Sequence, residues 1–241
     1  MLIIIAIIIA LCVYVFKHYN VTPHIPPATY KPPSNGIYPY FECEEINIAT
    51  KKARKAYKNF VVIDFETTGL SSTYDKIVEI GAVKIHDGII TDTFSSLVNP
   101  EMDIPAGAIN IHGISNRMVR RSPVIYEILP ELIAFIGNYP IVAHNIDFDM
   151  TFLLKNAYDC GYKIDNAVIN TLSLSRRIYP DLKNHKLETV ANHLGIMKDQ
   201  WHRSLSDAYA TAEILLKSID MLNNKDFQKA QERAAAKLAI K

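Results

Sequence analysis

Four acidic residues and one histidine fall in three short phrases spread along the chain. Asp64 and Glu66 lie in VVIDFETTGL, Asp149 in AHNIDFDMTFLL, and His202 with Asp207 in HRSLSDAYAT. Four carboxylates gathered at one spot repel one another. At about 4 Å and an effective dielectric of about 20, each pair costs roughly 4 kcal/mol. Divalent cations make such a cluster tolerable, and hard cations held by carboxylate oxygens are what hydrolysis of a phosphodiester requires.

The elements that must carry these residues can be read locally. FVVIDF is an apolar, β-branched run closed by Thr67-Thr68-Gly69, the pattern of a buried strand. Alternation puts Asp64 and Glu66 on one face and Phe65 on the other. A bland alternative is a strand-end pair facing solvent. KIVEIGAVKIH and IITDTFSSLVNP alternate apolar and polar residues around Asp87-Gly88, a hairpin signal, so the first three strands should form an antiparallel meander. Ser122-Pro123 reads as the start of a helix, which Pro130 either kinks or ends by starting the next. PIVAHN is a short strand, and DFDMTFLLKNAYDCG a helix stopped at Gly161. Asp149 falls in its first turn, where a negative charge is favourable by roughly 0.3–1 kcal/mol without any metal. Ser204 and Asp207 have capping-box spacing, which starts a helix near Leu205 and offers Asp207 a plain capping role. His202 then lies on the preceding loop, free to turn toward the same spot as Asp207.

The ends have a different character. In 241 residues there is room for one ordinary domain with appendages, and 49% apolar content suffices for its core. A net charge of +1 neither demands nor excludes nucleic acid. Cys12, Cys43 and Cys160 have neither disulfide-framework nor zinc-ligand spacing, as in a reducing compartment. Residues 1–21 open with MLIIIAIIIALCVYVF and are expected to be a transmembrane signal anchor, a cleaved signal peptide or a partner-bound helix being the alternatives. Basic residues on its C-terminal side, Lys17, Lys31 and the run from Lys51 to Lys58, predict a single-pass protein with its catalytic domain in the cytoplasm. Residues 22–58 read as a proline-rich linker and a short polar helix, 59–222 as the folded domain, and 223–241 as a tail helix.

Together the phrases DFETTG, HN-x-x-FD and H-x-x-x-x-D resemble the DEDDh 3′–5′ exonucleases of the ribonuclease H-like fold, including the proofreading epsilon subunit of bacterial DNA polymerase III. Asn99-Pro100, IHGIS at 111–115, Met118-Val119 and HKLETVANHLGI at 185–196 agree with that family, and the likeness covers roughly residues 60–220. It implies an α/β fold, a mixed five-stranded sheet flanked by helices, here preceded by the transmembrane helix. Asp64, Glu66, Asp149 and Asp207 would hold two Mg²⁺ ions, with Mn²⁺ as a substitute. Asp64 would bridge the ions, Glu66 and Asp207 serve the first and Asp149 the second, with His202 as general base. Substrate-binding candidates are Thr67, Thr68, Gly69 and Leu70 in the turn, with His112 and Asn145, for which structural hydrogen bonding is an equal reading. The expected partner is the 3′ end of DNA, single-stranded or frayed, and the expected product nucleoside 5′-monophosphates. An RNA-trimming enzyme of the same fold and a catalytically silent nucleic-acid-binding protein are the competing readings.

Overall fold

A computed structural model describes residues 43–198 and 201–239, the backbone alone being described for residue 227 and for 230–239. Its elements in order are α1 (Lys51–Ala56), β1 (Phe60–Thr67), β2 (Ile77–His86), β3 (Ile89–Leu97), α2 (Ala106–His112), α3 (Asn116–Val119) and α4 (Ile125–Ile136). Then follow β4 (Ile141–Ala143), α5 (Ile146–Asp159), β5 (Val168–Asn170), α6 (Thr171–Ile178), α7 (Leu187–His193) and α8 (Ser204–Ala239). The strands form one sheet in the order β3-β2-β1-β4-β5. β1, β2 and β3 make the antiparallel meander, while β4 and β5 run parallel to β1. This is the mixed α/β sheet expected from the sequence. Asp87 and Gly88 both have positive φ, 49° and 79°, the left-handed pair that a tight I′ hairpin needs.

The alternation of β1 divides the core. Val61, Ile63 and Phe65 enter the cluster shared with α4 and α5, whereas Phe60 and Val62 enter the cluster shared with α8. Asp64 and Glu66 therefore face α8. β2 departs from a half-exposed strand: Ile77 through Val83 are buried without interruption. It lies between β3 and β1 with both faces covered, so its polar Glu79 is buried as well.

Gly81 sets how close α8 comes to the sheet. It pairs with Asp64 across β1 and β2, and a Cβ there would collide with the backbone of Ser204 and Leu205. We predict that Gly81→Ala destabilises the chain by about 2–3 kcal/mol through overpacking, lowering Tm by roughly 5–10 °C. Differential scanning calorimetry tests this, and an unchanged Tm would refute the close approach.

Several expectations are corrected. α4 begins at Ile125, not at Ser122-Pro123, because Val124 bridges Asn99 and the Glu127 carboxylate reaches back 3.0 Å to accept the Val124 N–H; Pro130 lies inside that helix. Residues 44–50, read as part of a short polar helix, instead pair with Val168 of β5 around Glu45, turn at 48–49, and bury Ile46 and Ile48. Helix forms only over α1, where Arg54 is buried, bonded to the Ile48 and Ala49 carbonyls and paired with Asp226 of α8. The residues expected as a tail helix are helical as far as Ala239 and continue α8, which runs unbroken from Ser204. The single-pass membrane localisation, with the catalytic domain on the cytoplasmic side, is also corrected. No helix among the described residues is long and apolar enough to cross a membrane, α8 carrying charges along its second half. Segment 1–21, on which that expectation rested, lies outside the described residues.

Candidate active site

The C-terminal end of β1 forms the floor of the site. Asp64 and Glu66 leave its α8 face, and Asp207 descends from the first turn of α8. One oxygen of each lies within 4.8 Å of the others. Asp149 approaches from the opposite side. β4 pairs with β1 only at Val61 and Val62, so the farther edge of β1 has backbone groups without a strand partner. The Phe65 N–H is taken by Asp149 Oδ1 at 3.1 Å, so the acid is tied to the strand that carries Asp64 and Glu66. Asp64, Glu66, Asp149, Asp207, His202 and Asn145 line one pocket of about 340 Å³. All five residues of the acid-histidine set are thus brought together.

Two backbone features hold the pocket's rim. Asn145, ahead of α5, and His202, ahead of α8, have φ of 72° and 59°. Left-handed backbone is uncommon outside glycine and costs of order 1–3 kcal/mol in sparsely populated regions; it concentrates at functional sites. The start of α8 is held from β2. Glu79 Oε2 accepts the Ser204 N–H at 2.9 Å, and both its carboxylate oxygens accept from Arg203 Nε at 3.1 Å. This replaces the expected capping box: Ser204 Oγ is buried without a partner, and Asp207 Oδ2 instead accepts the Arg203 N–H at 3.0 Å.

The other candidates lie outside the pocket lining. Thr67 and Thr68 are buried and bonded within the turn, Thr67 Oγ1 donating to the Gly69 carbonyl at 2.6 Å and Thr68 Oγ1 to Asp75 at 3.2 Å. Gly69 is pressed against the Asp75 carboxylate. Leu70, by contrast, is 86% exposed, with nothing of its own to bury against. His112 is buried, its Nδ1 accepting the Ile114 N–H at 3.0 Å, and burial pushes its pKa down.

Two further residues complete the site, His144 in the pocket lining and Lys198 beside Asp207 but outside that lining. His144 bonds Thr171 Oγ1 at 3.0 Å and the His185 carbonyl at 2.8 Å, tying the start of α7, where Lys186, Leu187 and Glu188 line the pocket, to the end of β4. Lys198 is bound to Asp207 Oδ1. The HN phrase pointed toward His144, but no spacing pointed toward Lys198.

The acids disturb one another as their crowding requires. Burial raises Asp64 well above the usual carboxylate range, and Asp149, Asp207 and Glu66 raise it further. Asp149 is raised chiefly by burial. Burial, Asp207 and Glu79 push Glu66 up to about 8 from an ordinary 4.5. All are oxygen donors, the set that suits Mg²⁺ or Mn²⁺ rather than a soft metal. A carboxyl whose pKa is raised by folding binds more protons folded than unfolded. Its contribution is present below the ordinary value and is lost as pH rises through the folded value. In EDTA, Tm is therefore expected to fall between about pH 5 and about pH 9, with Glu66 titrating near about 8. Saturating Mg²⁺ should flatten that slope. Equal slopes in thermal melts with and without Mg²⁺ would contradict a cation-binding role.

Fold and site together define a nuclease class, and comparison with known proteins gives the family. Residues 61–215 match the RNase_T exonuclease family. The chain is 50% identical over 156 residues to the DNA polymerase III PolC-type protein of Clostridium perfringens, covering 65% of this chain and 11% of that protein. Against the PolC-type protein of Caldanaerobacter subterraneus it is 40% identical over 198 residues, 82% of this chain and 14% of the relative. Exonuclease X, solved in complex with 5′ overhanging duplex DNA, is 30% identical with a TM-score of 0.57, covering 67% of this chain and 92% of that one. The chain belongs to the RNase_T exonucleases, DEDDh-type 3′–5′ exonucleases of the ribonuclease H-like fold. It spans only a small fraction of the PolC-type relatives' length.

Proposed function

We propose that the chain removes nucleotides one at a time from the 3′ end of DNA, single-stranded or frayed, releasing nucleoside 5′-monophosphates. The observation that carries this reading is the convergence of Asp64, Glu66 and Asp207 oxygens within 4.8 Å, in a pocket that Asp149 and His202 also line. Asp64, Glu66 and Asp207 would hold one divalent ion, while Asp64 and Asp149 would hold a second. Bound there, Mg²⁺ or Mn²⁺ would acidify the attacking water and neutralise charge on the phosphate and the leaving 3′-oxygen. His202 takes the proton from that water as general base. Asn145 lines the pocket where the terminal nucleotide enters. Leu70, exposed beside β1, offers an apolar surface for the last base. Thr67, Thr68 and Gly69 hold the turn that presents Leu70, and His112 braces the neighbouring loop. DNA is favoured over RNA because the PolC-type relatives are DNA polymerases by name and exonuclease X was solved on DNA.

The test is an assay of the full chain on 3′- and 5′-labelled DNA and RNA oligomers with Mg²⁺, Mn²⁺ or EDTA. Stepwise mononucleotide release from DNA 3′ ends, abolished by EDTA, is expected. Preferential trimming of RNA would overturn the substrate assignment, and cleavage in EDTA would overturn the two-ion mechanism.

A further inference from the structure

Lys198 is the cation nearest the heart of the acidic cluster among the described residues, and its surroundings are unusual. Its side chain is 4% exposed. The ammonium is bound to Asp207 Oδ1 and stands 4.1 Å from the centre of the Trp201 ring. The charges of Asp64 and Glu66 also act on it. A lysine is seldom buried so completely unless partners replace its lost hydration, and an anion below with an aromatic face alongside do so here. Asp207 consequently has a donor on each oxygen, Oδ2 accepting the Arg203 N–H and Oδ1 the ammonium. Yet Asp207 contributes to the converging set of three carboxylates. An ammonium and a hard dication on one carboxylate oxygen stand at close range and repel each other, so an ion using Oδ1 works to drive Nζ away.

We propose that Lys198 is a tethered cation that competes with a divalent ion for Asp207, so that filling of the site and departure of Lys198 from Trp201 are one event. This rests on the reading of the acids as a metal site. Bound to Asp207, Lys198 offsets part of the cluster's repulsion and raises the cation concentration needed to fill it. The side chain has somewhere to go: Lys198 lines not the acidic pocket itself but a second cleft of about 480 Å³, with Ser95, Tyr209 and Glu213. Lys198 is thus a positioning residue, acting through Asp207.

Trp201 is the chain's only tryptophan and reports the event directly. The full chain is titrated with Mg²⁺, following tryptophan emission and, separately, binding by calorimetry. Wild type should change its emission on binding. Lys198→Met should bind Mg²⁺ about tenfold more tightly and lose the emission change, and Lys198→Gln, which keeps a donor for Asp207, gives the same result should the methionine variant fold poorly. Lys198→Arg should remain close to wild type. Lys186→Met removes the lysine that does line the acidic pocket and should shift affinity less than about threefold, which separates direct competition at Asp207 from loss of charge alone. Equal shifts in Lys198→Met and Lys186→Met, or an emission change that survives Lys198→Met, would overturn the inference while leaving the metal site standing. Absence of Mg²⁺ binding in every variant would overturn the metal reading, and this inference with it.

Discussion

Asp64→Asn is expected to lower kcat by about four orders of magnitude while making the chain more heat-stable in EDTA. Both outcomes have one cause. Asp64 projects from β1 into the face that α8 covers, where Asp149, Asp207 and Glu66 all resist its ionisation. An amide of the same shape removes a crowded charge without opening a cavity, so the folded state gains. The same substitution removes the carboxylate common to both proposed ion positions. Electrophilic stabilisation of a phosphoryl transition state amounts to several kcal/mol, and each about 1.4 kcal/mol is tenfold in rate. Single-turnover assays and melts of one protein preparation test both halves. A Tm that falls in EDTA would show that the acids are not in conflict, and retained cleavage would remove Asp64 from the reaction.

The second large effect is at His202. His202→Ala should reduce kcat by about 10²- to 10⁴-fold, the range of general acid–base catalysis. Mg²⁺ affinity should change little, because His202 is not among the converging oxygens. A backbone explanation must be separated, since His202 has φ of 59°. Asparagine tolerates left-handed backbone better than most residues. His202→Asn should therefore preserve the loop and still lose activity to the same extent. Near-normal turnover in His202→Asn would mean that the position matters for its shape and not for its imidazole.

Much of this was legible because it is local. Alternation in FVVIDFET put Asp64 and Glu66 on one face, Asp87-Gly88 announced the hairpin, and Asp149 was placed correctly in the first turn of its helix. What escaped the sequence depends on contacts across long separations. Glu79 and Arg203 lie 124 positions apart, and only the packing of α8 over Gly81 makes them neighbours. That pairing took the Ser204 N–H away from the expected local cap. Buried Ile46 and Ile48 looked like part of a polar lead-in because β5, their partner, comes more than a hundred residues later. Lys198 belongs to a loop whose course periodicity does not specify, so its burial against Asp207 had no signature. Beside the ion-binding role proposed for it, Asp149 has a structural one, which only the short pairing between β1 and β4 reveals.

The side chains at this site also have an overall electrical balance. Asp64, Glu66, Asp149, Asp207 and Glu79 are five carboxylates, against which stand the two cations Lys198 and Arg203. Fully ionised, they leave three negative charges uncompensated. Two divalent ions would bring four positive charges, one more than that deficit. If Lys198 leaves Asp207 as the ions bind, the remaining side chains and the two ions sum to zero, so on the two-ion reading the departing lysine is what keeps the filled site from carrying surplus positive charge. A phosphodiester would then add one negative charge, and the dianionic mononucleotide a second once the proton taken by His202 escapes, a surplus that favours release of the product.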